Sequence, residues 1–99
     1  PPDAIFAVND MTATGVLRVL KQMRFRIPED VSVIGFTDGL VATVTDPPLT
    51  TVSQHGFDMG KKAAEMLLKR IDALEEDYPA ITEVIPTELV VRETTRPLS

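Results

Sequence analysis

Pro2-Asp3-Ala4-Ile5-Phe6-Ala7-Val8-Asn9-Asp10 and, further along, Ile27-Pro28-Glu29-Asp30-Val31-Ser32-Val33-Ile34-Gly35-Phe36-Thr37-Asp38 decide how this chain folds. Each stretch reads as a short apolar strand that ends in polar residues. Between them Met11, Val16, Leu17, Leu20 and Met23 recur at intervals close to the helical repeat, the mark of a helix that buries one stripe. Strand, helix and strand in that order describe a βαβ unit. Ligands of open α/β sheets sit outside the carboxyl ends of the strands. Asn9, Asp10, Thr37 and Asp38 all fall there.

Composition narrows what such a unit can do. The chain has 99 residues, 43% of them hydrophobic, enough for a packed core and for at most one domain. With 15 acidic against 10 basic side chains and a net charge of -5, it lacks the basic footprint on which phosphate-backbone binding depends. Contact with DNA by this segment itself is therefore not expected. No cysteine is present, so a disulfide framework and a thiolate metal site are both excluded and the redox compartment stays open. The sequence shows no signal peptide and no apolar run long enough to span a bilayer.

Asp10 is placed to cap the first helix, its carboxylate accepting from free N–H groups of the first turn. Arg24 to Asp30 reads as a loop whose Pro28 disfavours helix at Ile27. Val31 to Phe36 is the second strand, Thr37 to Thr50 an irregular stretch with a rigid turn at Asp46-Pro47-Pro48, and Leu49 to Ser53 a short extended segment. A second amphipathic helix is expected from about His55 to Leu74, with Phe57, Gly60, Ala64, Leu67, Leu68 and Ile71 on one side. Lys61, Lys62, Glu65, Lys69 and Arg70 lie mostly on the other. Asp72 to Ala80 reads as an acidic loop, and Glu83 to Arg92 as an extended segment that Pro86 confines to a sheet edge or a crossing between lobes. Residues 1–92 thus form one unit, and Glu93 to Ser99 a polar tail of a kind often unordered. Two helices for about four strands leave the sheet under-covered, which points to a chain that begins in the middle of a longer protein.

The segments PDAIFAVND, RIPEDVSVIGF, PPLTTVSQ, FDMGKKAAEMLL and ELVVRETT, with the helix after the first, resemble in their order the effector-binding core of the lactose-repressor (LacI-type) family of bacterial transcription regulators. The resemblance covers nearly the whole chain. It implies an α/β, periplasmic-binding-protein-like fold, a parallel sheet with flanking helices, present here as the C-terminal portion of a sensor domain. It also implies a sugar or sugar derivative bound between two lobes, a homodimer, and a cytoplasmic protein that reaches DNA through a helix-turn-helix absent from this chain. No cofactor, metal or membrane is expected. A sugar-binding receptor of a transport system, with the same fold and no DNA role, is the principal alternative.

As a strand-end residue Asn9 has a plain role as a turn or pre-cap residue, but its amide both donates and accepts, which suits a vicinal diol. The resemblance implies that it faces the effector. Capping alone explains Asp10. Family members commonly carry Asp where this sequence has Thr37, in the run Gly35-Phe36-Thr37-Asp38-Gly39. Loss of that carboxylate matters, because a charge-assisted hydrogen bond is about twice as strong as a neutral one. Asp38 either compensates or caps the loop. Gln54 matches a position that often faces the cleft, while Phe36 and His55 are ligand-adjacent candidates; a lone histidine at a helix start is more often a solvated surface residue. Val41 to Val44, with the first helix, fall where the family packs its dimer.

Enzymatic readings find less support. There is no nucleophile–base arrangement, no Gly-rich phosphate loop and no Cys/His cluster. Asp10 and Asp38 at neighbouring strand ends offer only a bare pair of carboxylates for Mg²⁺.

Overall fold

The computed structural model describes residues 1–73 and 78–97. Its elements run β1 (Ala4–Phe6), α1 (Asp10–Gln22), β2 (Ser32–Ile34), α2 (Val41–Val44), β3 (Thr51–Ser53), α3 (Gly56–Asp72) and β4 (Glu88–Val90). The βαβ unit is present: β1 and β2 pair in parallel, Ala4 with Ser32, Ile5 with Val33 and Phe6 with Ile34. On the other side of β2 the chain meets the β3 segment through parallel bridges, Ile34 with Thr50 and Thr37 with Ser53. β4 then pairs with β3 antiparallel, Val52 opposite Leu89. The parallel pairing expected for the sheet therefore ends at β3, and the last strand returns against it.

Helix α1 begins one residue earlier than a cap at Asp10 requires. Asn9 is the N-cap, in extended conformation, and its Oδ1 accepts from Thr12 N–H at 2.7 Å. At the other end the helix closes through a left-handed Arg24, whose N–H donates to the Lys21 carbonyl. The apolar stripe also lies differently from its expected course. Ala13, Leu17 and Leu20 are buried against Ala7, Val31, Val33, Ala42 and Leu49, with Val16, Phe25 and Ile27 at the margin. Met11 and Met23 are exposed. The buried stripe thus runs through the small Ala13, and both methionines lie off it. The crossover loop is tied by Arg26, whose side chain and N–H both donate to Asp30. The hydrogen bonds from Arg26 hold the Asp30 carboxyl below the usual carboxylate range.

Within the polar tail expected from Glu93 onward, Thr94 is held in the core. Thr94 is fully buried; its hydroxyl donates to the Val33 carbonyl at 2.6 Å and accepts from Thr50 N–H at 2.8 Å, and Val33 N–H donates to its carbonyl. The end of the chain thus stitches β2 to the start of β3. Of the acidic loop expected at Asp72 to Ala80, residues 74–77 lie outside the described residues, as does the end of the expected helix at Leu74.

Helix α3 stands apart from this core. None of its residues is buried, and Phe57, Leu67, Leu68 and Ile71 are all exposed. Its neighbours are the segment 78–85, where Lys62 meets Glu83 at 3.7 Å and the Arg70 guanidinium lies 5.8 Å from the Tyr78 ring centre. The radius of gyration is 18.5 Å, against about 13 Å for a compact chain of this length. The accessible surface of 7199 Å² likewise exceeds the roughly 5,600 Å² of a compact 10.9 kDa chain. The molecule has the geometry of a partial domain.

Candidate functional site

The carboxyl ends of β1 and β2 open into two polar loops, 7–9 and 35–40, which one buried carboxylate joins. Asp10 is 3% exposed; its Oδ1 accepts from the Thr51 hydroxyl at 2.6 Å and its Oδ2 from Gly39 N–H at 2.8 Å. It is a cross-brace between α1, β3 and the loop after β2. Gly35 makes room for it, since a Cβ there would collide with the Asp10 carboxylate and lie 2.9 Å from Leu49 Cδ2. The two carboxylates considered for magnesium, Asp10 and Asp38, are each engaged by protein donors. Asp38 Oδ1 accepts from the Arg92 guanidinium at 2.7 Å, and the other arm of Arg92 donates to the Leu49 carbonyl at 2.9 Å.

The loop between these braces is conformationally unusual. Thr37 has φ 130° and Asp38 φ 62°. A left-handed aspartate is tolerated, but positive φ in a β-branched residue is a genuine outlier. Such residues cost on the order of 1–3 kcal/mol and persist where surroundings over-determine them. Here the Thr37 N–H donates to the Val52 carbonyl at 2.8 Å, and its hydroxyl accepts from Gln54 Nε2 at 3.1 Å. Thr37 and Gln54, singled out separately in the sequence, are therefore neighbours. Both remain accessible, Thr37 exposed and Gln54 half-buried.

Asn9 sits at the end of the neighbouring strand, exposed, with Oδ1 engaged in capping. Its amide N–H groups are the part of the side chain that capping does not use. Phe36 is half-buried beside the loop. His55 is the left-handed residue (φ 50°) that opens α3, and its Nε2 lies 3.6 Å from Glu88 Oε2 on β4, directed to the strand return and not to Thr37. Two residues escaped the sequence reading, Thr51 and Arg92. Thr51 carries no local signal. Arg92 does: it is a lone cation closing the apolar run Leu89-Val90-Val91, where a charge needs a partner.

Comparison with known proteins places this geometry. A model of the periplasmic binding protein-like domain matches residues 1–95. EndR of Paenibacillus polymyxa, a probable HTH-type transcriptional regulator, is 44% identical over 91 residues, which are 92% of this chain and 27% of that protein. The HTH-type transcriptional repressor PurR of Vibrio vulnificus (strain CMCP6) is 44% identical over 98 residues, 99% of this chain and 29% of the relative. Among solved structures, the complex of the transcriptional regulator CelR with cellobiose superposes with a TM-score of 0.86 at 40% identity, covering 93% of this chain and 28% of that one. A LacI family regulator from Enterococcus faecium with bound ribose gives 0.86 at 34% identity, covering 98% and 35%. The chain spans less than a third of the length of these curated relatives. The resemblance read from its segments is borne out. The chain belongs to the periplasmic-binding-protein-like domain family, as part of an effector-binding domain of the lactose-repressor type.

Proposed function

We propose that this chain is the ligand-sensing part of a LacI-type transcription regulator and that it takes a sugar or sugar derivative at the carboxyl ends of β1 and β2. The observation that carries the proposal is the rigidly held loop at Thr37–Asp38, whose accessible hydroxyl is hydrogen-bonded to Gln54 on the segment leaving β3. Asn9, Thr37 and Gln54 are the direct contacts; Asp38 and Asp10 shape the loop, and Phe36 flanks it. No cofactor enters, and the chain itself performs no reaction. A sugar bound between two lobes favours one arrangement of a homodimer, and the spacing of DNA-binding heads outside this chain changes with it. Exposed apolar residues, Met11 on α1 with Leu40 and Val44 at α2, suit the dimer face. The regulator acts in the cytoplasm; a transport receptor of the same fold would carry no operator affinity.

Asn9 provides the test. In the intact protein, Asn9→Asp keeps the helix cap but removes the amide donors, whereas Asn9→Ala removes both. Titration calorimetry with cellobiose, ribose and related sugars is expected to show effector affinity reduced more than about tenfold in both variants, the loss of one good hydrogen bond. Operator affinity is expected to stay within a few-fold of wild type. Unchanged sugar affinity in Asn9→Asp removes Asn9 from the site, and an intact protein without operator affinity removes the regulator.

A further inference from the structure

We infer that Arg92 is a positioning residue for the effector loop, clamping Thr37–Asp38 and tying it to the chain that returns through β4. The inference deepens the sensing role proposed above and rests on it. Arg92 lies just past β4, after Val91, and its side chain is only 20% exposed, as Asp38 is only 23%. Its guanidinium divides between two elements, one arm on Asp38 Oδ1 and one on the Leu49 carbonyl, while its own N–H donates to the Thr50 hydroxyl. A planar, two-pronged donor of this kind fixes geometry as well as charge.

What it fixes is the strained piece of the site. Thr37 and Asp38 take consecutive positive φ values, 130° and 62°, without a glycine. Four partners hold them: the Val52 carbonyl of β3, Gln54 just beyond β3, Arg92 just beyond β4, and Asp10 of α1 through Gly39 N–H. Two of the four, Gln54 and Arg92, lie on the segments by which the chain leaves the β1–β2 core for α3 and returns from it. A shift of β3 and β4 relative to β1 and β2 moves Gln54 and Arg92 together with the Val52 carbonyl, and so re-aims the Thr37 hydroxyl. Arg92 acts through Asp38 and needs no contact with the sugar.

Hydrogen exchange on the intact protein without any sugar tests the clamp separately from sensing. In Arg92→Met the N–H groups of Thr37 and Gly39 are expected to exchange roughly tenfold or more faster, with α1 residues 13–20 unchanged. Wild-type exchange at Thr37 and Gly39 overturns the clamp, and so does acceleration spread equally through α1. Arg92→Lys is expected to remain fast, because one ammonium cannot bridge the Asp38 carboxylate and the Leu49 carbonyl in fork geometry; wild-type exchange there overturns the two-pronged role. Of cellobiose and ribose, the one that raises the melting temperature of wild type is expected to bind Arg92→Met at least about tenfold more weakly. Equal affinity overturns the link to the effector. If neither sugar shifts wild type, the sensing role for those sugars fails, and the exchange result still decides the clamp.

Discussion

Asp10 shows how one buried carboxylate can brace three parts of the chain at once. Both oxygens are satisfied inside the protein, by Thr51 and Gly39, and removing them strands one buried and one half-buried donor. Each unpaired donor costs about 1–3 kcal/mol. Asp10→Ala is therefore expected to lower the unfolding free energy of the intact protein by about 2–4 kcal/mol in urea titrations. Asp10→Asn is expected to cost less, since its amide oxygen still accepts from Gly39 and its NH₂ can donate to the Thr51 hydroxyl. Equal losses in the two variants would show that the hydrogen bonds are not the cause. From sequence, Asp10 and Asn9 are both strand-end residues at the start of a helix, and which of them caps depends on a single extended φ/ψ pair, −157° and 173° at Asn9. Propensity places a helix start only to within a residue or two. The exchange of roles between the two follows from that one-residue margin.

At the scale of elements, Thr94 carries the lesson of the last strand. A polar stretch after Arg92 has no apolar periodicity, and periodicity is the main signal from which order is read. Its burial comes from backbone groups: β2 and the start of β3 leave the Val33 carbonyl and Thr50 N–H facing a gap that one hydroxyl fills. Thr94→Val keeps the shape and removes the hydroxyl, so it is expected to destabilise the intact protein by about 2–3 kcal/mol. Thr94→Ser keeps the hydroxyl and loses a buried methyl, at about 1 kcal/mol. Thermal unfolding of the pair distinguishes hydrogen bonding from packing, and a milder effect in Thr94→Val than in Thr94→Ser would reverse the assignment. Helix α1 makes the complementary point. Its existence was legible from Leu17 and Leu20, but the turn of its stripe toward Ala13 was not, because the sheet surface it meets is built from residues 31–33 and 49 elsewhere in the chain.

The whole molecule is extended, and many of its large apolar side chains are exposed. Phe57, Leu67, Leu68 and Ile71 of α3 are each more than half exposed, beside Ile81, Val84 and Leu89 on the return to β4. Large exposed apolar residues in this number mark surface that a partner covers. As an isolated 99-residue chain at micromolar concentration, the molecule is expected to associate, with a light-scattering mass at least about twice 10.9 kDa. Leu67→Glu with Ile71→Glu is expected to shift it toward monomer. A well-folded wild-type monomer would show that the face needs no cover.

The sequence by itself determined the βαβ unit, the second helix, the family, and the position of Asn9, Thr37, Asp38 and Gln54 at or beside the strand ends. The βαβ unit, the second helix and the strand-end residues depend on local periodicity and on turn and cap chemistry, which nearby residues specify, whereas the family and the place of Gln54 rest on the resemblance of the segments taken in order. Only the tertiary structure decided that Thr37 meets Gln54, that Asp38 is held by Arg92, that Asp10 is a buried brace, and that Thr94 lies inside. These contacts join residues 17 to 61 positions apart, and hydrogen bonds at that separation are set by how the strands stack. No pattern within a single strand or helix encodes them.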